Sequence, residues 1–334
     1  MKLPARRKGA ESGIAPGASI VEVLQRRGET HPEATVFTYL GGDEGDSPAP
    51  GSPVATQATS VGSLTFAQLD GRARAIAERL LEQGLRGERA LLLYPAGLEF
   101  VEAFFGCLYA GVVAVPAFPP RANRTLDRLA SIAADSAARA ALVPGELLGR
   151  SREVASRSPS LRGLRWTATE DPAMRALSPA ARSGAFAISS ASEPHPEDHG
   201  GGRLPKPPDP GALAYLQYTS GSTSDPKGVM ISHANIVANS EAIRLGFGHT
   251  HASRSFSWLP HYHDMGLVDG LIQPVYSGFH AVLMNPAGFL QNPVRWLEAI
   301  SDHGITHSGG PNFAYELCVK RALPDPERLD LGTW

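Results

Sequence analysis

Three apolar runs in the middle of the chain restrict its folding more than any other feature: Ala90 to Tyr94, Leu98 to Ala110 and Val112 to Val115. The outer two are continuous hydrophobic stretches of strand length, the pattern of parallel strands covered on both faces. The middle run is long enough for a helix and apolar nearly all round, which suits a helix packed deep between layers. Together they read as a βαβ unit. Thr125 to Ala138 extends the alternation, with Leu126, Leu129, Ile132 and Ala133 on one face, and leads to a short strand at Ala140 to Val143. The pattern predicts an α/β chain of layered, mostly parallel sheets flanked by helices.

On the N-terminal side, Ile20, Val23 and Leu24 repeat at helical spacing, and the helix closes at His31-Pro32 because the residue before proline avoids helical backbone. A strand at Thr35 to Tyr39 follows. Thr65 and Gln68 fit a capping box ahead of a stripe of Leu69, Ala73, Ile76 and Leu80. On the C-terminal side the reading gives strands at Leu213 to Tyr218, Val229 to Ile231, Ser253 to Trp258, His280 to Met284 and Ile305 to Ser308. Helices fall from about Ala234 and over Pro293 to Ser301. Residues 41–62 and 189–210 are rich in Gly, Pro and polar residues without a period that could bury a face, so both read as exposed loops. The organisation expected is a flexible leader, residues 1–17, and one large domain, residues 18–334.

Charge and composition remove several classes of function. A formal net charge of -2 over 334 residues leaves no electrostatic footprint for nucleic acid or an anionic membrane surface. No apolar run approaches the roughly 20 residues that a bilayer span needs. The first residues, MKLPARRKGAESG, are basic but lack the apolar core of a signal peptide. The two cysteines, Cys107 and Cys318, sit in apolar surroundings and read as core residues of a protein in a reducing compartment, so a cytoplasmic location is expected.

Three polar segments carry the candidate chemistry. The turn from Tyr218 to Val229 places five Ser and Thr hydroxyls, two glycines and Lys227 between two apolar strands. Inward backbone N–H groups, hydroxyl donors and a compact charge suit polyphosphate; a serine-rich turn with no ligand is the plainer alternative. It is not a P-loop, because Lys227 is preceded by Pro226 and followed by Gly228. His261, His263 and Asp264 contain metal-ligand types, and two imidazoles separated by one residue on a strand would share a face. No further Cys or carboxylate lies at supporting spacing, so no metal ligands are assigned within the chain. Gly309, Gly310 and Pro311 end a strand and open a helix, where parallel sheets bind ligands, although a tight turn alone explains them too. Phe104, Phe105, Tyr109 and Phe118 read as core packing.

Thr219 to Gly228 (TSGSTSDPKG) resembles the phosphate-loop signature of the acyl-adenylate-forming superfamily. Ser224 stands where most members have glycine, and the Ser224-Asp225 pair is similar to the fatty acyl-AMP ligase branch. Three further stretches carry the same resemblance in order: Tyr94 to Phe100 with Phe104 to Pro120, Trp258 to Leu267 (WLPHYHDMGL), and Ser308 to Leu317 (SGGPNFAYEL).

This resemblance implies the N-terminal region of the adenylate-forming fold and a two-step reaction. ATP activates a fatty acid as acyl-AMP, and the acyl group passes to the phosphopantetheine of an acyl carrier protein in lipid, polyketide or nonribosomal peptide synthesis. Thr219, Ser220, Gly221, Ser222, Thr223 and Lys227 would bind the phosphates, with Lys227 and His263 in catalytic roles. His263, Asp264, Met265, Gly309, Gly310 and Pro311 would surround substrate and adenylate. The acid that holds Mg2+ and the small mobile C-terminal domain are expected beyond Trp334. The alternatives are a medium- or long-chain acyl-CoA ligase, or a truncated, inactive fragment that keeps nucleotide and carboxylate binding.

Overall fold

A computed structural model describes residues 14, 17–41, 60–119, 126–156, 158–169, 206–218, 226–321 and 328–334. Helix α1 (Ile20–Thr30) begins at a capping box of Ser19 and Glu22. Strands β1 (Thr35–Leu40) and β2 (Ser60–Thr65) form an antiparallel pair. Helix α2 (Phe66–Glu82) starts at the capping box of Thr65 and Gln68. Then come β3 (Arg89–Leu92), α3 (Leu98–Ala110), β4 (Val113–Pro116), α4 (Leu126–Asp135), β5 (Ala140–Val143), α5 (Leu148–Ala155), α6 (Pro159–Arg162) and β6 (Arg165–Ala168). The remainder runs β7 (Leu213–Tyr218), β8 (Gly228–Ser232), α7 (His233–Phe247), β9 (Arg254–Ser257), α8 (Asp264–Leu267), a π-helical turn (Val268–Ile272) and α9 (Gln273–Ser277). It continues with β10 (His280–Met284), α10 (Pro286–Gln291), α11 (Val294–His303), β11 (His307–Ser308) and α12 (Asn312–Lys320).

The strands make two sheets, in the orders β6-β5-β3-β4-β7-β8 and β11-β9-β10-β1-β2. All pairs are parallel except β7 with β8 and β1 with β2, so each sheet carries one antiparallel edge strand. The second sheet joins the two ends of the chain: Phe37 lies opposite Ala281 and Leu40 opposite Met284. That partnering is invisible to local patterning, which reports a strand but not its distant neighbour.

Alternation along each strand divides the core into layers. Ala90 and Leu92 of β3 and Ala140 and Leu142 of β5 face a central core, whereas Leu91, Leu93, Ala141 and Val143 face an outer one. In the second sheet Ala281 and Leu283 join the central core, and Val282 and Met284 face the opposite side. Helices α1 to α3 therefore lie between the two sheets, α4 to α6 cover one outer face, and α10 to α12 cover the other. This is the layered, mostly parallel architecture expected from the sequence. Phe100, Phe104 and Phe105 of α3 are all buried, as its nearly all-round apolarity requires. Cys107 and Cys318 are buried and unpaired, and burial pushes both thiols up. Among the described residues no helix is long and apolar enough to cross a membrane.

Two features differ from expectation. Strand β2 begins at Ser60 and sets Gly62 opposite Tyr39, so the last part of the stretch read as exposed loop belongs to the sheet. Most of that loop (42–59), residues 189–205 of the second, and residues 1–13 and 15–16 of the leader lie outside the described residues. The structure also adds α5, α6, β6 and the helical stretch from Asp264 to Ser277. The first three are too short for periodicity to separate from loop, and the last is buried on most sides, so it shows no polar face.

The contact between α2 and α3 depends on Gly106, where an added Cβ would lie 2.4 Å from Ile76 Cγ2. Gly106→Ala is expected to lower the unfolding free energy by about 1–3 kcal/mol through overpacking. Gly71, inside α2 with open space around it, provides the contrast. There alanine is expected to stabilise by up to about 1 kcal/mol, and denaturant titration of both variants reads the difference.

Candidate functional site

The turn between β9 and α8 holds the site together. The Pro260 carbonyl accepts a hydrogen bond from the His263 amide at 3.0 Å. A Cβ on Gly266 would sit 2.1 Å from that same carbonyl oxygen, so only glycine lets α8 start this close to the turn. Side chains and backbone then reach three neighbours. The His261 ring packs against Phe100 of α3 with centroids 5.3 Å apart. The Tyr262 ring meets Phe118, just after β4, edge-on at 5.2 Å. Gln217 Nε2, at the end of β7, donates to the Tyr262 carbonyl at 3.0 Å. The C-terminal ends of β7 in one sheet and β9 in the other are thereby tied together.

The two histidines of this segment part company, contrary to the shared face a strand would give them, because the backbone here is a turn. His261 is 3% exposed, its two ring nitrogens have no partner among the described residues, and burial lowers its pKa to about 4, so it is a neutral core residue. His263 is largely exposed and its Nδ1 lies 2.6 Å from Asp264 Oδ1. Among the described residues no three His, Cys, Asp or Glu side chains gather as a metal site.

Tyr218 and Gly228 face each other at the ends of β7 and β8, and Lys227 is exposed beside Gly228. Residues Thr219, Ser220, Gly221, Ser222, Thr223, Ser224 and Asp225 lie outside the described residues. Gly228 is needed where it stands, since a Cβ there would come within 2.9 Å of the Tyr218 ring. The connection springs from the C-terminal end of β7, which runs parallel to β4, the position at which open parallel sheets bind ligands.

Gly309, Gly310 and Pro311 join β11 to α12. Gly310 backs onto Trp258, whose Cζ2 would be 3.0 Å from an added Cβ and whose ring stacks on Phe289 at 3.8 Å. Gly309 opens instead onto a cleft of about 550 Å³, walled by Ile243, Phe247, Met265, Val268 and Trp334 and also touched by Asn239, Asp264, Thr306 and Ser308. The structure thus brings Asp264, Met265 and Gly309 to one cavity. His263, Gly310, Pro311 and Lys227 are not among its lining residues.

Three titratable residues of that cleft were not singled out in the sequence: His249, Asp269 and His307. The signal available was an acid between Val268 and Gly270 in an otherwise apolar stretch. The His249 and His307 rings meet edge-on with centroids 4.4 Å apart. Burial, then repulsion from His307 and Arg244, lowers the His249 pKa to about 4. Burial raises the Asp269 carboxyl, and His307 partly offsets the rise.

Gly266→Ala is expected to cost about 1–3 kcal/mol or more of stability, because the clash is with backbone; denaturant titration tests it. A pH series tests the buried imidazoles. His233, His249 and His261 are each at most 3% exposed and each lowered to about 4, chiefly by burial. The unfolded chain binds protons near pH 6.5 while the native chain does not, so the stability is fully present above pH 6.5 and is lost as pH falls toward 4. His261→Phe is expected to make that fall shallower, as read by unfolding midpoints across the pH range.

The family model described as AMP-binding enzyme matches residues 24–333. The chain belongs to that family. Among its relatives is medium-chain-fatty-acid–[acyl-carrier-protein] ligase JamA of Moorena producens, 40% identical over 95% of this chain and 48% of that protein. Long-chain-fatty-acid–AMP ligase FadD26 of Mycobacterium tuberculosis is 35% identical over 94% of this chain and 49% of its own length. The crystal structure of a fatty acid AMP ligase from Legionella pneumophila superposes with a TM-score of 0.76 at 33% identity, covering 98% of this chain and 50% of that one. A fatty acyl-adenylate ligase from L. pneumophila, solved in complex with acyl adenylate and pyrophosphate, gives 0.74 at 33% identity over 99% of this chain and 50% of that one. The chain spans about half the length of the curated relatives it matches.

Proposed function

We propose that this chain forms part of a fatty acyl-AMP ligase, which activates a fatty carboxylate with ATP and passes the acyl group to the phosphopantetheine thiol of an acyl carrier protein. The observation that carries the reading is the convergence of three segments: the ends of β7 and β8, the Pro260–His263 turn and the Ser308–Pro311 turn. Gln217 bonds the second to the first, and Asp264, Met265 and Gly309 open onto one apolar-walled cleft. The name of the Moorena relative, with its acyl-carrier-protein acceptor, and the acyl adenylate in the Legionella complex support the same chemistry.

In the first step a carboxylate oxygen attacks the α-phosphorus of ATP, the bond to pyrophosphate breaks, and an acyl-phosphate anhydride forms. In the second the thiol attacks the acyl carbon and AMP leaves. The difficulty of the first step is repulsion between an anion and a polyanion, so positioning and charge compensation supply the catalysis. Lys227 and the segment Thr219 to Thr223 hold the departing phosphates. His263 stands at the N-terminal end of α8, exposed and able to donate to an adenylate oxygen. Asp264, Met265 and the Gly309–Pro311 turn border the acyl and adenylate groups. The family resemblance puts the magnesium-binding acid in a segment other than those matched here, and no step is derived through the metal. Two buried, unpaired thiols suit a cytoplasmic enzyme.

Carboxylate-dependent ATP–pyrophosphate exchange tests the reading in the whole enzyme. Lys227→Ala is expected to reduce exchange by roughly a hundredfold, the scale at which loss of one charge-stabilising donor is felt. Unchanged exchange would remove Lys227 from the mechanism. Transfer of the acyl group to coenzyme A in preference to the carrier protein would move the enzyme to the acyl-CoA ligase branch.

A further inference from the structure

Asp269 is the anomaly of the cleft. It lies on the π-helical turn with Val268 beside it and Phe247, Met265 and Trp334 forming the same wall. Among the described residues its carboxylate takes no hydrogen bond and no ion pair; the neighbour that acts on it electrostatically is His307. His307 has no hydrogen bond to spare, because its Nε2 lies 3.3 Å from the Phe247 carbonyl and its Nδ1 lies 2.6 Å from the Thr306 hydroxyl. His249 completes the polar group, its ring edge-on to that of His307 and wedged between Phe247 and Phe279.

A plain alkyl chain filling this cleft would strip water from Asp269 and return nothing, which disfavours binding. A hydroxyl or an amine on the chain would donate to the carboxylate and restore the lost hydrogen bond, with an ammonium adding charge attraction. We propose that the cleft selects a carboxylic acid whose chain bears a hydrogen-bond donor, a hydroxyl or an amine, and that Asp269 is the residue that reads it. This rests on the assignment of the cleft to the acyl group made above.

The test is equilibrium binding, by calorimetry, of decanoate and of its hydroxy and amino derivatives substituted at successive positions. At least one derivative is expected to bind roughly ten- to a hundredfold tighter than decanoate, the range for a hydrogen bond to a charged group. Asp269→Leu is expected to abolish that preference and to strengthen decanoate binding. Asp269→Asn, close in shape, keeps an acceptor without the charge, so a preference for the hydroxyl survives it and a preference for the amine does not. Decanoate binding as tightly as every derivative, with the ranking unmoved by Asp269→Leu, would overturn the role of Asp269 and leave the acyl assignment standing. Failure of every acid to bind would overturn the acyl assignment and this proposal with it.

Discussion

The burial of α3 on nearly every face, all but Leu98, Glu99 and Glu102, is the constraint from which the rest follows. A helix that is apolar nearly all round cannot lie on the outside of a sheet, so the chain supplies a second sheet to cover it. Phe100, Phe104 and Phe105 sit in a core shared by β3 and β5 on one side and β1 and β10 on the other. Because that second sheet is built from both ends of the chain, distant segments are brought beside one another without a long connection. The geometry then sets the C-terminal ends of β7 and β9 face to face, and the hydrogen bond from Gln217 to Tyr262 closes the gap.

The glycines of the site are explained by contact rather than by flexibility. Gly266 clears the Pro260 carbonyl, Gly228 clears the Tyr218 ring, and Gly310 clears Trp258. Gly266 and Gly228 let their own segments close tightly, and Gly310 lets the Ser308–Pro311 turn approach Trp258 of another segment. The motifs are rigidly packed at their roots, while their polar tips, His263, Asp264 and Lys227, remain exposed. A site of this kind positions reactants by its scaffold and needs few groups to do so, which suits a reaction limited by bringing anions together.

Much of this was legible in the sequence, and the legible part was local. The strands β3, β4, β5 and β10 announce themselves as continuous apolar runs because both faces are buried, and the capping box at Thr65 marks a helix start by hydrogen-bond chemistry confined to four residues. Asp264, Met265 and Gly309 were reached through resemblance of short stretches. What stayed hidden depends on three dimensions. The pairing of β1 with β10 joins residues far apart in sequence, and the divergence of His261 from His263 depends on a turn held by Gly266. The grouping of Asp269 with His249 and His307 is made by a helix and a strand that have no sequence relation to each other.

The central claim is that three separate segments form one acyl-adenylate site, and hydrogen–deuterium exchange with a non-hydrolysable acyl-adenylate analogue tests it most directly. The account predicts simultaneous slowing of exchange in Tyr218 to Gly228, Trp258 to Leu267 and Ser308 to Asn312, with the outer helices α4 and α11 unchanged. Protection of only one of these segments, or of none while the analogue is bound elsewhere, would contradict it.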